Sequence, residues 1–159
     1  MATDKSHSPA DKPPNFRPAL TPGRWDATAV HAYKDEGAAP FKDVTRQVLF
    51  ADPAMAAEWR YFEVASGGHS TLERHEHVHA VMVHRGRGRC MVGAEIRDIA
   101  SGDLVYVPAM TWHQFRATSD EPLGFLCLVN AARDKPQLPT AKELAALKRD
   151  RTVAAFVRT

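Results

Sequence analysis

Hydrophobic and polar positions alternate in short runs along the middle of the chain. Eight runs rich in β-branched and aromatic residues lie between residues 44 and 130, mostly separated by Gly, Asp, Ser or Pro. They read VTRQVLFA, EWRYFEVA, HAVMVHRG, GRCMVG, EIRDIA, DLVYVP, HQFRAT and LGFLCLVN. Short strands at near-regular spacing predict an all-β sandwich or barrel. No helical pattern of sufficient length separates the runs, which excludes strictly parallel βαβ units.

The two ends of the chain have a different pattern. The first 23 residues are rich in Pro, Lys, Asp and Ser and poor in large apolar side chains, which predicts a loose arm. Near the other end, Thr140 and Glu143 fit a capping box that begins a short C-terminal helix. The predicted organisation is a loose N-terminal arm over residues 1–23, one barrel domain over 24–135 and a helical extension over 136–159.

Composition and charge restrict the possible partners. The net charge of +2 gives no reason to expect a nucleic-acid or membrane partner. No apolar run reaches the length of a signal peptide or a transmembrane segment, and two cysteines do not make a disulfide framework. These features predict a cytoplasmic protein. The largest local basic cluster, Arg85, Arg87 and Arg89, is one candidate for binding an anionic substrate.

The densest chemistry lies in the stretch LERHEHVHAVMV, residues 72–83. Glu73, His75, His77 and His79 occupy every second position, so on one straight strand they would face the same side. They would then span roughly 20 Å at about 3.3 Å per residue, too far for one metal ion to bind them all. A turn at residues 76–78 would return His79 towards Glu73 and His75 and leave His77 on the turn, pointing away.

This arrangement resembles the first motif of the cupin family, G-x5-H-x-H-x3,4-E-x6-G. If Gly86 is the last glycine of the motif, His79 takes the glutamate position and His75 the second histidine position. Glu73 then takes the first histidine position, and Gly67 is the opening glycine. The usual set of three histidines and one glutamate is kept, with the two positions exchanged.

The second cupin motif, G-x5-P-x-G-x2-H-x3-N, resembles the stretch GDLVYVPAMTWHQFRA. Gly102, Pro108 and His113 match at the family spacing. Two positions depart from it, since Met110 replaces the glycine and Ala117 replaces the asparagine. Together the two motifs place the resemblance over about residues 44–130.

The resemblance implies an all-β, antiparallel cupin barrel, also described as a double-stranded β-helix or jelly roll. It also implies one bound divalent transition metal, which could be Fe, Mn, Ni, Cu or Zn. The implied metal ligands are Glu73, His75, His79 and His113.

A different register of the first motif remains open. It uses His75 and His77 as the histidine pair and places Val81 or Met82 at the glutamate position. Neither of those side chains can bind a metal, which favours the exchanged register. In that register His77 is expected not to bind the metal itself but to contact a metal ligand or the substrate and hold it in place.

The remaining pocket residues are expected to be mostly apolar. Phe115 and Phe125 alternate with outward positions along their strands, and Met110 and Trp112 flank His113 at the expected mouth. Such a pocket favours a small, partly apolar substrate that chelates the metal.

Three functions are consistent with these residues. A dioxygenase or another oxidoreductase is the favoured one. The alternatives are a non-redox metal-dependent isomerase, cyclase or lyase, and a ligand-binding module without turnover. A homodimer is also expected, with the apolar runs over residues 44–50 and 58–64 pairing across subunits.

Overall fold

A curled antiparallel sheet of nine strands forms the body of the protein in the computed structural model, which describes residues 12–35 and 37–159. Two small strands precede it and form a separate hairpin, β1 (Ala19–Thr21) and β2 (Arg24–Trp25). The strands of the sheet are β3 (His31–Ala32), β4 (Lys42–Ala51), β5 (Ala57–His69), β6 (His79–Arg85), β7 (Arg87–Val92), β8 (Glu95–Ala100), β9 (Leu104–Val107), β10 (His113–Ala117) and β11 (Leu123–Asn130).

The strand order confirms the predicted all-β class. Along the sheet it runs β8-β7-β10-β5-β11-β6-β9, while β4 pairs with both β5 and β3. Each of the eight runs of alternating residues forms one of the strands β4 to β11. The sheet curls into a half-barrel because strand twist accumulates across so many strands.

The concave face of the sheet holds the main core. Val44, Phe62, Val81 and Phe125 come from four different strands and are all buried. Phe125 stacks on Phe62 and on Phe115, with ring centroids 5.5 and 4.4 Å apart. Alternation along each strand therefore places one apolar row on this face, as the sequence predicted.

The turn between β6 and β7 requires a glycine. Gly86 has φ of 75°, a conformation that side chains rarely adopt. A Cβ atom there would lie 2.0 Å from the carbonyl oxygen of Pro122. The glycine that ends the first motif is thus fixed by the close approach of the β10–β11 connection.

Two short helices follow the sheet, α1 (Ala141–Leu147) and α2 (Arg151–Phe156). The predicted capping box is present, since Thr140 and Glu143 exchange side-chain and backbone hydrogen bonds. Phe156 is 1% exposed and packs on Met91 and Leu72 in a second core. Burial of such a side chain stabilises the fold by roughly 1.5–3 kcal/mol. Neither described helix has the length and apolar character needed to cross a membrane.

Part of the predicted arm contacts the sheet. The β1–β2 hairpin brings Gly23 to Gln47, whose side-chain amide donates to the glycine carbonyl over 2.9 Å. Trp25 packs edge-on against Tyr61 at 5.0 Å between ring centroids. Residues 1–11 of the predicted arm lie outside the described residues, and the domain boundaries at 23 and 135 stay predictions.

Candidate functional site

Three histidines converge at one end of the half-barrel. His75 lies between β5 and β6, His79 begins β6 and His113 begins β10. One ring nitrogen from each lies within 4.8 Å of the other two. The Nε2 atoms of His75 and His79 are 3.0 Å apart. The bend at residues 76 and 77 returns the chain as the sequence predicted, and the β10 register adds His113.

Backbone carbonyls fix the tautomers of two of these rings. Nδ1 of His75 lies 2.7 Å from the carbonyl oxygen of His77, and Nδ1 of His113 lies 2.9 Å from that of Thr111. A carbonyl oxygen only accepts hydrogen bonds, so each Nδ1 carries the proton and each Nε2 keeps a lone pair. This is the pattern by which proteins orient histidines that bind metals.

Burial keeps the three rings neutral. It lowers the pKa of His79 to about 2 and that of His113 to about 4, and it also lowers the pKa of His75. For His79 the neighbouring His113 and His75 add to the effect. Neutral imidazoles are the form that binds a metal. The donor set thus fits a divalent transition metal.

Glu73 lies beside the histidines, but its side chain contacts Lys34 and Tyr33. Its backbone bridges to His113, and its carboxylate forms an ion pair with Lys34 and accepts a hydrogen bond from the Tyr33 hydroxyl. Within the described part of the chain, the potential ligand atoms that lie within 4.8 Å of one another at this place belong to His75, His79 and His113, and no carboxylate oxygen of Glu73 is among them. Glu73 as a fourth ligand therefore stays a prediction.

His77 lies against His75 and does not point away from the site as the sequence suggested. The two rings stack with centroids 3.5 Å apart, and Nδ1 of His77 lies 2.7 Å from a carboxylate oxygen of Asp134. The backbone N–H of Glu76, together with His77, holds the pKa of Asp134 well below its usual range. The bend turns His77 inwards because Asp134 binds both its backbone and its ring.

A cavity of about 300 Å³ opens beside the three histidines. Phe115 and Phe125 line it, together with the thiol of Cys127, whose sulfur lies 3.2 Å from Nδ1 of His79. Met110 and Trp112 do not line it, contrary to the expected mouth. Trp112 packs in the second core and under the guanidinium of Arg74.

Several polar residues of the cavity were missed by the sequence reasoning. They are Tyr33, Lys34, Arg46, Arg60, Ser70, Arg133 and Asp134. Two of them carried a signal, because Arg46 and Arg60 stand two positions from Val44 and Phe62 and share their inward face.

The basic cluster chosen from the sequence does not line this cavity. Arg85 pairs with Glu63, and Arg89 pairs with Asp98 on the neighbouring strand. Arg87 is exposed. Alternation at a hairpin end turns these side chains towards solvent or towards local partners, so they form no anion site in the cavity.

Comparison with known proteins relates this chain to one family. Residues 60–129 match the profile of a family described as "Cupin domain". The chain is 57% identical over 152 residues to the 1-methylthio-D-xylulose 5-phosphate methylsulfurylase of Rhodospirillum rubrum, with 96% of each chain covered.

Two solved structures are similar over most of the chain. A cupin 2 conserved barrel domain protein from Rhodopseudomonas palustris shares 64% identity with a TM-score of 0.87, over 91% of this chain and 99% of that one. A cupin-2 domain protein from Rhodospirillum rubrum shares 57% identity with a TM-score of 0.80, over 89% and 95%.

The relative's name corrects the functional expectation. A protein 57% identical over almost the whole chain is named a methylsulfurylase, so the prediction of a dioxygenase or other oxidoreductase is wrong. That name does not support the isomerase, cyclase or lyase alternative, or the binding module without turnover. The ligand set failed to identify the reaction because the same donors bind redox and non-redox metals alike.

Proposed function

The chain belongs to the cupin family, and from that premise we propose that it is an enzyme that removes the methylsulfur group from 1-methylthio-D-xylulose 5-phosphate. The observation that carries the proposal is the near full-length relative bearing that name. The cavity supports it, because 300 Å³ suits a small sugar phosphate and the three histidine nitrogens suit a metal ion.

The chemistry of this substrate calls for an electrophile beside its ketone. The methylthio group is on C1, next to the carbonyl carbon C2. If the C1–S bond breaks with its electron pair going to C1, the negative charge is shared with the carbonyl oxygen. A divalent metal held by His75, His79 and His113 would supply positive charge to that oxygen when bound.

Because the electron pair of the C1–S bond stays on C1, the sulfur needs a second reactant that supplies a new bonding pair. An acceptor with a nucleophilic lone pair forms a new bond to the methylthio sulfur as the C1–S bond breaks. Its proton ends on C1, which becomes a methyl group. A thiol suits this role because it supplies the two electrons that reduce C1: the products are a methyl disulfide and a 1-deoxy ketose, and no further oxidant or reductant is needed. Burial raises the pKa of Cys127 to about 12, so this thiol stays protonated and the proposed acceptor enters from solution.

Other side chains prepare the cavity for this reaction. Burial, followed by the nearby Glu73 carboxylate, raises the pKa of Tyr33 well above its usual value, so its hydroxyl stays a donor. The stacked rings of Phe62, Phe115 and Phe125 form an apolar wall that excludes water. A drier cavity strengthens each electrostatic contact made to the substrate.

The purified, metal-loaded protein is expected to convert 1-methylthio-D-xylulose 5-phosphate without oxygen. Incubation under argon with 2-mercaptoethanol should replace the S-methyl signal in the proton NMR spectrum by signals of a methyl disulfide and a methyl ketone. A sample without thiol is the control and should stay unchanged. An unchanged substrate in the complete mixture, or a reaction that requires oxygen, would overturn the proposal.

We also propose that the protein is a homodimer that buries the outer face of its sheet. Apolar side chains lie side by side there and are partly or largely exposed, with Leu104 at 76% and Tyr106 at 60%. Met82 and Leu128 lie on the neighbouring strands. The runs first expected to pair across subunits pair instead with each other, as β4 and β5.

The cytoplasmic location remains a prediction. The two buried cysteines, which form no disulfide, are consistent with a reducing compartment.

Light scattering at micromolar concentration is expected to give twice the chain mass of 17.6 kDa. Leu104→Asp should shift the mass towards the monomer, because it buries a charge in the proposed interface. Phe16→Asp, at a site 85% exposed and on a different segment, is the matched control and should stay dimeric. A wild-type monomer would refute this proposal.

A further inference from the structure

Three arginines line one wall of the cavity. Arg46 comes from β4, Arg60 from β5 and Arg133 from the segment after β11. They are brought together by strand pairing, since β5 lies between β4 and β11. Positive side chains on the inward face of a sheet are costly to bury unless something compensates them.

The carboxylates within reach do not balance these charges. Glu58 accepts a hydrogen bond from Nε of Arg60 over 2.7 Å and lies 3.3 Å from a nitrogen of Arg133. Arg46 makes no ion pair within the described ranges 12–35 and 37–159, and its buried Nε has no hydrogen-bond partner there. The Glu58 carboxylate is therefore shared by the guanidinium groups of Arg60 and Arg133. The guanidinium of Arg46 keeps an N–H donor without a partner among the described residues.

Arg60 and Arg133 lie close enough to Arg46 to affect the pKa of its guanidinium. Burial lowers its pKa, and the charges of Arg60 and Arg133 add to this effect. Glu58 and the exposed Asp35 oppose it only in part. An anion placed at this wall would relieve the repulsion and satisfy the free Nε.

The wall lies at a suitable separation from the histidines. Arg60 pairs with Cys127, which pairs with Val81, two residues after His79. With strands about 4.8 Å apart, the backbones of β5 and β6 are separated by roughly 10 Å. The arginine side chains extend from there into the same cavity. The two ends of a short phosphorylated sugar could thus reach the histidines and the arginines together.

We propose that Arg46, with Arg60 and Arg133, forms a phosphate subsite that binds the 5-phosphate of the substrate and places its ketone end at the histidines. The substrate identity rests on the function proposed above, whereas the anion site rests on the charges and contacts of the wall. Guanidinium groups suit this role because their paired N–H donors match phosphate oxygens.

Steady-state kinetics of Arg46→Gln test the role in substrate binding. With the phosphorylated substrate, kcat/KM is expected to fall about 10–100-fold, the loss typical of a charge-assisted hydrogen bond. With the dephosphorylated sugar, wild type and variant should be equal. Arg87→Gln, an exposed arginine outside the cavity, is the control and should behave as wild type. Equal losses on both sugars would overturn the subsite.

Binding of methyl phosphate, followed by calorimetry on the metal-loaded protein, tests the subsite without turnover. Wild type and Arg87→Gln should bind it, and Arg46→Gln should bind it at least about 10-fold more weakly. Such a result would support the subsite even if the methylthio sugar were not a substrate. Equal binding by all three proteins would overturn it.

Thermal unfolding separates this role from a structural one. Arg46→Gln should fold with an unchanged or higher Tm, because it removes an uncompensated charge from the wall. A clearly lower Tm would indicate that Arg46 holds the fold together, which contradicts the proposal.

Discussion

Replacement of His113 by alanine is expected to abolish tight metal binding and with it the activity. His113 supplies one of the three ring nitrogens that lie close enough to hold one metal ion, and its Nδ1 lies 2.9 Å from the Thr111 carbonyl oxygen, which leaves its Nε2 free to bind. The loss of metal affinity should exceed the roughly 10–100-fold that is typical when a residue that hydrogen-bonds to a metal ligand is replaced. Metal analysis after gel filtration and a turnover assay measure the two effects.

His77→Ala is the matched control for that experiment. Its ring stacks on His75 and contacts Asp134, so its removal should keep the metal and weaken binding by no more than about 10–100-fold. Complete metal loss in His77→Ala would favour the other motif register and the alternative group of His75, His77 and Asp134. Near-stoichiometric metal in His113→Ala would remove His113 from the proposed site.

The metal-free protein is expected to lose stability steeply between pH 6.5 and pH 4. Burial lowers the pKa of His113 to about 4, whereas an unfolded histidine titrates near ~6.5. Between these values the unfolded chain binds the proton and the folded chain does not, so stability falls as the pH falls. His113 alone should account for about 3 kcal/mol of the free energy of unfolding, and His75 and His79 shift in the same direction.

Urea unfolding at several pH values, with a chelator present, measures this loss. His113→Gln removes one titrating group while keeping a polar side chain, so its stability should depend less on pH by about the same amount. His84 lies away from the three-histidine group and contacts Trp25 and Tyr61, so His84→Gln is a suitable control. An equally steep profile in His113→Gln would show that other groups cause the acid sensitivity.

Local structure could be predicted from the sequence wherever all the residues that determine it lie in one segment. Strict alternation predicted strands β4 to β11, because side chains on a strand point to opposite faces in turn. The Thr140 capping box was visible for the same reason, since both partners lie within one helical turn. The need for a turn between His75 and His79 followed from the reach of a metal ion alone.

The packing of the C-terminal segment after α2 on the outer face of the sheet could not be predicted in this way. Alternation along β10 turns Gln114 away from the concave face, on which Phe115 lies, yet Gln114 is 0% exposed. The segment after α2 covers it, as the Gln114 amide donates to the carbonyl of Arg158 over 2.8 Å. Alternation gives the face of a sheet to which a side chain points, and it says nothing about what packs on that face.

The sequence by itself determined the strand pattern, the family and the cluster of histidines, since each depends on spacing within one segment or two motifs. Only the tertiary structure decided which other groups meet them. Arg46, Arg60 and Arg133 share one wall because β4, β5 and β11 pair, and Lys34 reaches Glu73 across the sheet. Such contacts depend on strand order and register, which follow from the packing of the whole chain, so no local pattern records them.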